Sequence, residues 1–462
     1  MNRKNILISI VLTIIILSGC SNRKEELTED NISKQQTPSQ NMQSAGRLSK
    51  SDEENVEENI NGYNIEDDQM ITQNSEAVEG NKISNLNQRL KTQILGSIDT
   101  KSTDTILEVY QTMLPEGIQE DIQYPYYNIN FDYFLITADN ESEIRENPTL
   151  NSSVIAMVKN LDKVSLYQRV QGEWVDDSDM WYRVGILEGD QLKEGYIHSI
   201  LGTPRNYRFD KMKDAINGLL QEVNQGELHF ISNYKNLNGA PPQKGNAEVD
   251  EYGYRVFHSA PAYQEANTNS DYRYIPDGIL VRIIDETDEF YHVNVPTFGS
   301  AYYVPKKYID SATTLSKLNH VIVVDRSQQN QASFEIGENG LSLVSYTMSS
   351  TGLPGNSSYE TTLGSFKAIE KKDRFLYLKK DSQEIAGYAP YAIRFTGGAY
   401  IHGVPVEYKY ENGQKNEPGT IEYLHTIGTY PRSSMCVRNY TSHAEFLYNW
   451  MDIKNGAVIV IE

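Results

Sequence analysis

Most of the chain beyond residue 90 consists of short segments rich in β-branched and aromatic residues, separated by polar turns. Such segments predict strands, because branched and aromatic side chains pack well on a pleated sheet. They cover residues 134–137, 153–158, 164–168, 181–184, 195–198, 254–257, 279–283, 290–293, 301–304, 399–403 and 457–461. The sequence therefore predicts a mostly β fold with few helices.

Two stretches instead have the apolar period of an amphipathic helix. The first ends at Gly226, and its apolar face comprises Met212, Ile216, Leu219, Leu220 and Val223. In the second, Ser442 and Glu445 have the spacing of a capping box, and the apolar positions are Ala444, Leu447, Tyr448 and Met451. This pattern predicts that a helix begins a few residues after Cys436.

The N-terminal residues have the features of an export signal. Arg3 and Lys4 precede an apolar run that is too short to span a bilayer, which needs about 20 residues. The run ends in Leu-Ser-Gly-Cys20, which resembles the lipobox of bacterial lipoproteins. The resemblance implies that residues 1–19 are a signal peptide, that Cys20 carries the lipid, and that the protein is extracytoplasmic and membrane-anchored. The alternative is a secretory signal cleaved nearby, with Cys20 discarded.

Residues 20–90 predict a disordered tether. They are rich in Asn, Gln, Ser and Glu, contain one aromatic residue, Tyr63, and have twice as many acidic as basic side chains. Such a segment cannot bury enough apolar surface to offset the entropy of ordering its backbone. A polar coil of this kind lets a lipid-held domain range through the space beyond the membrane.

The remaining residues exceed what one hydrophobic core usually covers, so two or three domains are expected. The net charge of −21 argues against a nucleic-acid partner, because phosphate contacts need clustered Lys and Arg. It also disfavours tight binding to anionic lipid surfaces.

The second of the two cysteines, Cys436, has no intrachain disulfide partner if Cys20 is lipidated. A lone thiol in an oxidisable compartment is either a small buried hydrophobe or a nucleophile. A nucleophilic thiol needs a base, because its reference pKa near 8.5 leaves only a few per cent thiolate at neutral pH. Upstream, Tyr400 and His402 alternate along a predicted strand and should share a face. The backbone N–H groups of Ser434 and Met435 could stabilise an oxyanion.

Four ordered motifs make residues 318–462 resemble the YkuD-type L,D-transpeptidase catalytic domain. They are the apolar strand 320–325, Ser349-Ser-Thr-Gly352 with Thr361-Thr-Leu-Gly-Ser-Phe366, Ile401-His-Gly403, and Ser433-Ser-Met-Cys436-Val-Arg438 before a helix and a terminal strand. The resemblance implies a β-sandwich with Cys436 as nucleophile, His402 as base and the Gly403 carbonyl orienting the imidazole. It also implies that Arg438 shapes the substrate cleft.

The sequence departs from the family pattern next to the nucleophile. The usual Ser-His-Gly-Cys is replaced by Ser433-Ser-Met-Cys436, so a methionine stands where the family has glycine. A turn that requires a positive φ at this position would disfavour methionine. The segment between His402 and Cys436 is also longer than the family's commoner loop, and residues 404–429 are predicted to form a lid or flap.

The other histidines offer one alternative base, His425, eleven residues before the cysteine. His443 lies at the predicted helix start, where a solvated or hydrogen-bonded ring is expected. The remaining histidines are dispersed and lack the spacing of a zinc site, so no metal or other cofactor is predicted.

Residues 91–226, including the first helix, resemble a bacterial SH3-like domain that ends in Trp181-Tyr-Arg-Val and Gly195-Tyr-Ile, and residues 227–314 suggest a second, divergent module. The catalytic domain would then span 315–462. Exposed aromatic residues such as Trp174 could stack on wall glycans, whereas Trp181 is more typical of a barrel core.

The thiol and imidazole predict a cysteine nucleophile with a histidine base, and the resemblance implies that this is an L,D-transpeptidase that acts on peptidoglycan stem peptides, with 3→3 cross-links as its product. Tyr400 and Arg438 are the candidate substrate-binding residues. The alternative is a non-catalytic or weakly hydrolytic wall-binding lipoprotein that uses its SH3-like modules.

Overall fold

The computed structural model describes residues 105–127, 129–188, 191–245, 248–355, 358–379, 382 and 384–462, together with the backbone of two short strands in the N-terminal part. The predicted signal peptide, Cys20 and, apart from those two strands, the predicted tether lie outside the described residues. No described helix is long and apolar enough to cross a membrane.

The first strands belong to different sheets. They are β1 (Val56–Glu57), β2 (Met70–Thr72), β3 (Thr105–Val109), β4 (Ile118–Glu120), β5 (Asp132–Ile136), β6 (Ser142–Arg145), β7 (Val154–Val158), β8 (Lys163–Val175), β9 (Ser178–Glu188), β10 (Gln191–His198) and β11 (Gly202–Asn206). Eight of them form an antiparallel sheet in the order β11-β5-β8-β9-β10-β6-β7, with β3 beside β8. Trp181 is buried in it and its indole N–H donates to the Glu173 carbonyl at 2.9 Å, which confirms its predicted core position.

Helix α1 (Phe209–Gln225) follows this sheet and ends before Gly226, as the periodicity predicts. Its buried face packs against strands of the C-terminal domain, so one core joins residues of both regions. Arg208, just before the helix, forms a bidentate pair with the buried carboxylate of Asp325 at 2.6 Å. The predicted boundary at residue 226 therefore falls within a continuous core.

The next seven strands form a second sheet, called here the middle sheet, in the order β14-β13-β17-β16-β15-β12-β18. They are β12 (Leu228–Ile231), β13 (Ser259–Tyr263), β14 (Tyr272–Pro276), β15 (Leu280–Glu286), β16 (Phe290–Val295), β17 (Ser300–Pro305) and β18 (Ile309–Leu315). The strand predicted at 254–257 is wrong, since this stretch forms only one isolated bridge through Arg255. The strand orders of these two sheets do not test the SH3-like resemblance, which stays a prediction.

Two further sheets make up the C-terminal domain. The strands are β19 (His320–Asp325), β20 (Asn330–Gly337), β21 (Gly340–Met348), β22 (Gly364–Lys367), β23 (Glu370–Leu378), β24 (Ile385–Thr396), β25 (Ala399–His402), β26 (Val406–Glu407), β27 (Lys409–Glu411), β28 (Gln414–Asn416), β29 (Ile421–Leu424), β30 (Val437–Arg438) and β31 (Gly456–Ile461). One sheet runs β22-β31-β19-β20-β21-β4 and the other β1-β23-β24-β25-β30, with β26 beside β24.

The two sheets face each other across a common apolar layer. Ile322 and Val458 from the first sheet share a core with Ile393, Ile401 and Val437 from the second. This is the packing of a β-sandwich. The mostly β architecture confirms the predicted fold class, including the sandwich behind the candidate site.

Helix α2 (Thr441–Trp450) begins close to the predicted position, but the predicted capping box is wrong. The side chain of Glu422, on β29, takes the place of Glu445, accepting from the Ser442 N–H at 2.9 Å and also from its hydroxyl. A carboxylate from another strand thus satisfies the helix N-terminus, where negative charge is favoured. Residues 404–429, predicted as a flap, form β26 to β29, and only their β27–β28 hairpin is fully exposed.

Candidate active site

The parallel pairing of β25 with β30 brings Cys436 and His402 to one face of the sheet. Ile401 pairs with Val437 and His402 with Arg438, so Cys436 lies one step before the paired residues. Because side chains alternate along strands, Cys436 and His402 project to the same side. They are therefore diagonal neighbours across this parallel pair.

Phe375, on β23 of the same sheet, packs against the side chains around Cys436 and His402. Its ring stacks on Tyr400 at a centroid distance of 4.7 Å and meets the His402 ring edge-on at 5.1 Å. Cys436 belongs to the same apolar cluster as Phe375 and Tyr400. The thiol and the imidazole therefore flank one aromatic cluster.

The tautomer of His402 follows from its contact with the next residue. Nδ1 lies 2.5 Å from the Gly403 carbonyl, which can only accept, so Nδ1 carries the hydrogen. Burial lowers the pKa of His402 to about 3, and the charge of Arg438 acts in the same direction. A neutral ring protonated at Nδ1 leaves a lone pair on Nε2, which is the form required of a general base.

The Cys436 thiol is buried, with no exposed surface, and His402 is 2% exposed. The sulfur donates to the carbonyl of Gly398, in the β24–β25 turn, at 3.7 Å. Gly398 is itself partly exposed, so the turn that contacts the sulfur lies at the surface. The structure thus holds the thiol in a closed site, and substrate can reach it only after a local opening.

The nucleophile follows a tight turn centred on Met435. The Cys436 N–H donates to the Ser434 carbonyl at 2.8 Å, and Met435 adopts a φ of +65°. A bond between residues two apart around a positive φ is the pattern of a strained γ-turn. Methionine thus occupies the left-handed conformation that glycine would adopt more readily, at a cost of about 1–2 kcal/mol.

The motif at 349–352 and the motif at 361–366 meet at this turn. The Thr361 hydroxyl donates to the Met435 carbonyl at 2.8 Å and accepts the Gly352 N–H at the same distance. A Cβ on Gly352 would come within 2.3 Å of the Tyr359 carbonyl oxygen and 2.7 Å of the Met435 nitrogen. Glycine is therefore required here by the close approach of three backbone segments.

The amides predicted to form an oxyanion hole belong to buried residues of this turn. Met435 N–H donates to the Tyr359 carbonyl at 2.7 Å, so in the closed site it already has an acceptor. Ser434 is buried beside it. The oxyanion role of Ser434 and Met435 stays a prediction, and it requires the turn to release the Met435 amide.

Tyr400 and Arg438, the predicted substrate-binding residues, are both buried. The Tyr400 hydroxyl donates to Glu370 at 3.3 Å and accepts from Lys372 at 3.0 Å. The Arg438 backbone exchanges hydrogen bonds with Ser350 at 2.8 and 3.0 Å, which ties the Ser-Ser-Thr-Gly motif to β30. Neither side chain lies at an open surface in this state.

The two other histidines considered from the sequence, His425 and His443, have hydrogen-bond partners elsewhere. His425 Nε2 is 2.9 Å from the Asn160 carbonyl, on the side of the first sheet, so its geometry does not suit the alternative base. His443 is buried and hydrogen-bonded to Asn439 and Ser345, both at 3.1 Å. Among the described residues, no three His, Cys, Asp or Glu side chains gather as metal ligands.

Two contacts from the middle sheet's module could not be found from the sequence. Asp277 holds the β24–β25 turn over the thiol. Its carboxylate accepts from Arg394 Nη1 at 2.7 Å and from the Gly397 N–H at 3.1 Å. Its backbone carbonyl accepts from the Thr396 hydroxyl at 2.6 Å. Arg255 donates to the Met435 sulfur at 3.0 Å. Neither residue belongs to a recognisable motif, so only the fold connects them to the site.

Comparison with protein families gives one match. Residues 319–461, just under a third of the chain, match YkuD, described as the L,D-transpeptidase catalytic domain. No curated protein matches the chain significantly.

Several solved structures are similar to part of the chain. A fused Zn-dependent amidase/peptidase/peptidoglycan-binding domain-containing protein from Clostridium acetobutylicum has 12% identity and a TM-score of 0.21, over 31% of this chain and 52% of that one, about half its length. An L,D-transpeptidase from Mycobacterium smegmatis has 16% identity and a TM-score of 0.25, over 39% and 82%.

L,D-transpeptidase 3 from Mycobacterium tuberculosis, in complex with a faropenem-derived adduct, has 20% identity and a TM-score of 0.22, over 35% of this chain and 73% of that one. These TM-scores are all far below 0.5, so the chemistry of the site is inferred from the family match and the site geometry alone. The segment that holds Cys436 and His402 is thus the segment that matches the L,D-transpeptidase catalytic domain.

Proposed function

We propose that the protein is a cysteine L,D-transpeptidase that forms 3→3 cross-links between peptidoglycan stem peptides through a thioester on Cys436. The observation that carries this proposal is the shared face of Cys436 and His402, with the imidazole held as the Nδ1–H tautomer by the Gly403 carbonyl. The family match of residues 319–461 supports the reaction class.

In the first half-reaction, His402 Nε2 takes the proton from the Cys436 thiol. The thiolate attacks the carbonyl that links the third residue of a donor tetrapeptide to its terminal D-Ala. The C–N bond breaks, D-Ala leaves with the proton that His402 returns, and a thioester remains. In the second half-reaction, the side-chain amine on the third residue of another stem attacks the thioester. An amide forms and the cysteine thiol is restored.

The closed site opposes the first proton transfer. Moving a proton from a thiol of reference pKa near 8.5 to an imidazole of pKa about 3 costs about 7.5 kcal/mol, at about 1.4 kcal/mol per pKa unit. Opening of the β24–β25 turn would admit substrate and water, and water would raise the imidazole pKa because desolvation is the main cause of its depression. We therefore include this opening in the proposed catalytic cycle.

The place of action is also part of the proposal. The sequence Leu-Ser-Gly-Cys20 supports a lipid anchor outside the cytoplasm, and the acidic polar residues up to 90 would let the enzyme reach the wall. The peptidoglycan partner follows from the proposed reaction, which needs no cofactor.

Intact-mass analysis of the full chain tests this function. After incubation with a disaccharide-tetrapeptide, we expect a thioester adduct that has lost D-Ala, and a covalent adduct with a carbapenem, both absent from Cys436→Ala. His402→Gln should retain the thiol but slow adduct formation by 10²–10⁴-fold, the usual contribution of a general base. An unmodified wild-type mass would refute the proposal.

A second candidate is a wall-binding lipoprotein without activity or with weak hydrolysis. The complete burial of Cys436 and the engaged Met435 amide favour it. It predicts that wild-type protein and Cys436→Ala sediment equally with purified peptidoglycan while neither forms an adduct. An adduct that decays only to hydrolysed tripeptide would instead indicate an L,D-carboxypeptidase.

A further inference from the structure

Gln329, in the turn between β19 and β20, is a buried residue with a strained backbone. It is 1% exposed and its φ is +53°. Residues other than glycine adopt this left-handed conformation uncommonly, and they keep it where the surrounding contacts over-determine it. The contacts of Gln329 should therefore account for its conformation.

The Gln329 side-chain amide clamps one residue of the Ser349-Ser-Thr-Gly352 motif. Nε2 donates to the Thr351 hydroxyl at 2.7 Å and to the Arg326 carbonyl at 2.5 Å, and Oε1 accepts the Thr351 N–H at 2.9 Å. The backbone carbonyl of Gln329 also accepts the Ser349 N–H at 3.0 Å. Both amide hydrogens and the amide oxygen are thus used, and the Thr351 N–H fixes which atom of the amide is the oxygen.

Thr351 in turn holds the loop that precedes the nucleophile. Its carbonyl accepts the N–H groups of Arg432 and Ser433 at 2.8 and 3.0 Å. The Ser433 hydroxyl donates to the Cys436 carbonyl. Any effect of Gln329 on the thiol therefore passes through Thr351 and this loop.

We propose that Gln329 is a positioning residue of the acyl transfer, which fixes Thr351 and thereby the loop 432–436 that presents the Cys436 sulfur to His402. The inference rests on the proposed function, because a positioning role requires a site that reacts. Catalytic groups must be held within about 0.5 Å of their productive geometry, so loss of the clamp should slow the reaction even where the fold persists. A purely structural role predicts instead that the rate follows global stability.

Two variants separate the amide from the backbone strain. Gln329→Leu has a similar size and loses all three side-chain hydrogen bonds. Gln329→Gly also loses them, but glycine adopts a positive φ without strain, so this variant should fold. Gln328→Leu is the matched control, because the Gln328 amide oxygen accepts the Asn206 N–H at 3.0 Å, at the end of β11. The control removes a hydrogen bond from the same turn and leaves the clamp on Thr351 in place.

Carbapenem acylation of the full chain, followed by intact mass, gives the maximal rate and the half-saturating concentration. We expect both Gln329 variants to lower the maximal rate by about tenfold or more, since misplacement by 1 Å can cost about a hundredfold. The half-saturating concentration should change less than about twofold, because the clamp acts on the thiol and not on the ligand. Gln328→Leu should keep the wild-type rate, even if its unfolding midpoint falls as far as that of Gln329→Leu. A smaller loss of rate in either Gln329 variant, or an equal loss in the control, would overturn the proposal.

Hydrogen exchange gives a readout that needs no activity. The N–H groups of Arg432 and Ser433 donate to Thr351, so both Gln329 variants should exchange them about tenfold faster or more, whereas Gln328→Leu should not. Faster exchange in a protein whose wild type forms no adduct refutes the transpeptidase and retains the clamp. Wild-type acylation with unchanged exchange in both Gln329 variants refutes the positioning role alone.

Discussion

Acidification should destabilise the protein through its buried imidazoles, and His443 allows the effect to be isolated. Its ring is fully buried, and burial lowers its pKa from 6.5 to about 3. Between these two values the unfolded chain binds a proton at this position and the folded chain does not. The stabilisation is therefore present above pH 6.5 and is lost as the pH falls towards 3.

The magnitude follows from the shift. At pH 5, about 1.5 units below the unfolded-state pKa of 6.5, protonation of His443 stabilises the unfolded state. The stabilisation is about 2 kcal/mol, at about 1.4 kcal/mol per pH unit. His258 and His402, whose pKa values are also lowered to about 3, add similar terms. The raised pKa values of the buried carboxyls of Asp132 and Asp277 act in the opposite direction. Comparison of a single variant with wild type removes these common terms.

The assay is denaturant unfolding of the full chain and of His443→Gln at pH 7.5 and pH 5, followed by tryptophan fluorescence, to which Trp450 on the same helix contributes. The variant should be less stable at pH 7.5, because Asn439 and Ser345 lose a partner, but it should lose about 2 kcal/mol less than wild type on acidification. His258→Gln offers a second comparison at a buried ring elsewhere. If wild type and both variants lost equal stability between the two pH values, the argument from buried neutral imidazoles would be wrong.

Two further predictions concern the thiol and its turn. Asp277→Ala should raise the rate at which a thiol reagent modifies Cys436 by about tenfold or more, because the Gly397 N–H in the β24–β25 turn and the Arg394 side chain both lose their carboxylate partner. Asp271→Ala, at an exposed position of the same module, is the control, and equal rates would show that another element closes the site. Gly352→Ala should abolish acylation and lower the free energy of unfolding by roughly 2 kcal/mol or more, because its Cβ would lie 2.3 Å from a backbone oxygen. Adduct mass and thermal unfolding measure the two effects. Acylation at the wild-type rate would contradict the packing argument.

Local pattern was sufficient for much of the fold. The alternation around His402 predicts β25, the apolar run at 320–325 coincides with β19, and the periodicity before Gly226 predicts α1. No strand forms at 254–257, because its aromatic side chains pack from a loop within the module, Tyr254 on Phe298 and Phe257 on His258. Arg255 instead reaches Tyr359 and Met435 in the C-terminal domain. Periodicity cannot distinguish these two uses of the same residue types.

The candidate site likewise has features that the sequence predicts and features that it does not. The motif around Cys436 and the histidine two residues after Tyr400 lie on paired strands, so they could be selected from sequence alone. The closure of the site could not, since it depends on Asp277, which is 159 residues from Cys436 and reaches the site only through tertiary packing. The left-handed conformation of Met435 was also beyond reach, because residue preference argues against it.

The short parallel pairing of β4 with β21 has a kinetic consequence. It joins Ile118 to Leu341, so the C-terminal domain takes an edge strand from a segment that lies between two strands of the first sheet, β3 and β5. Contacts between residues so far apart are slow to form, because a long loop must close before any contact compensates for its entropy. Until that closure this edge of β21 is unpaired, and the unfolded chain would be most open to misassociation and proteolysis at this strand.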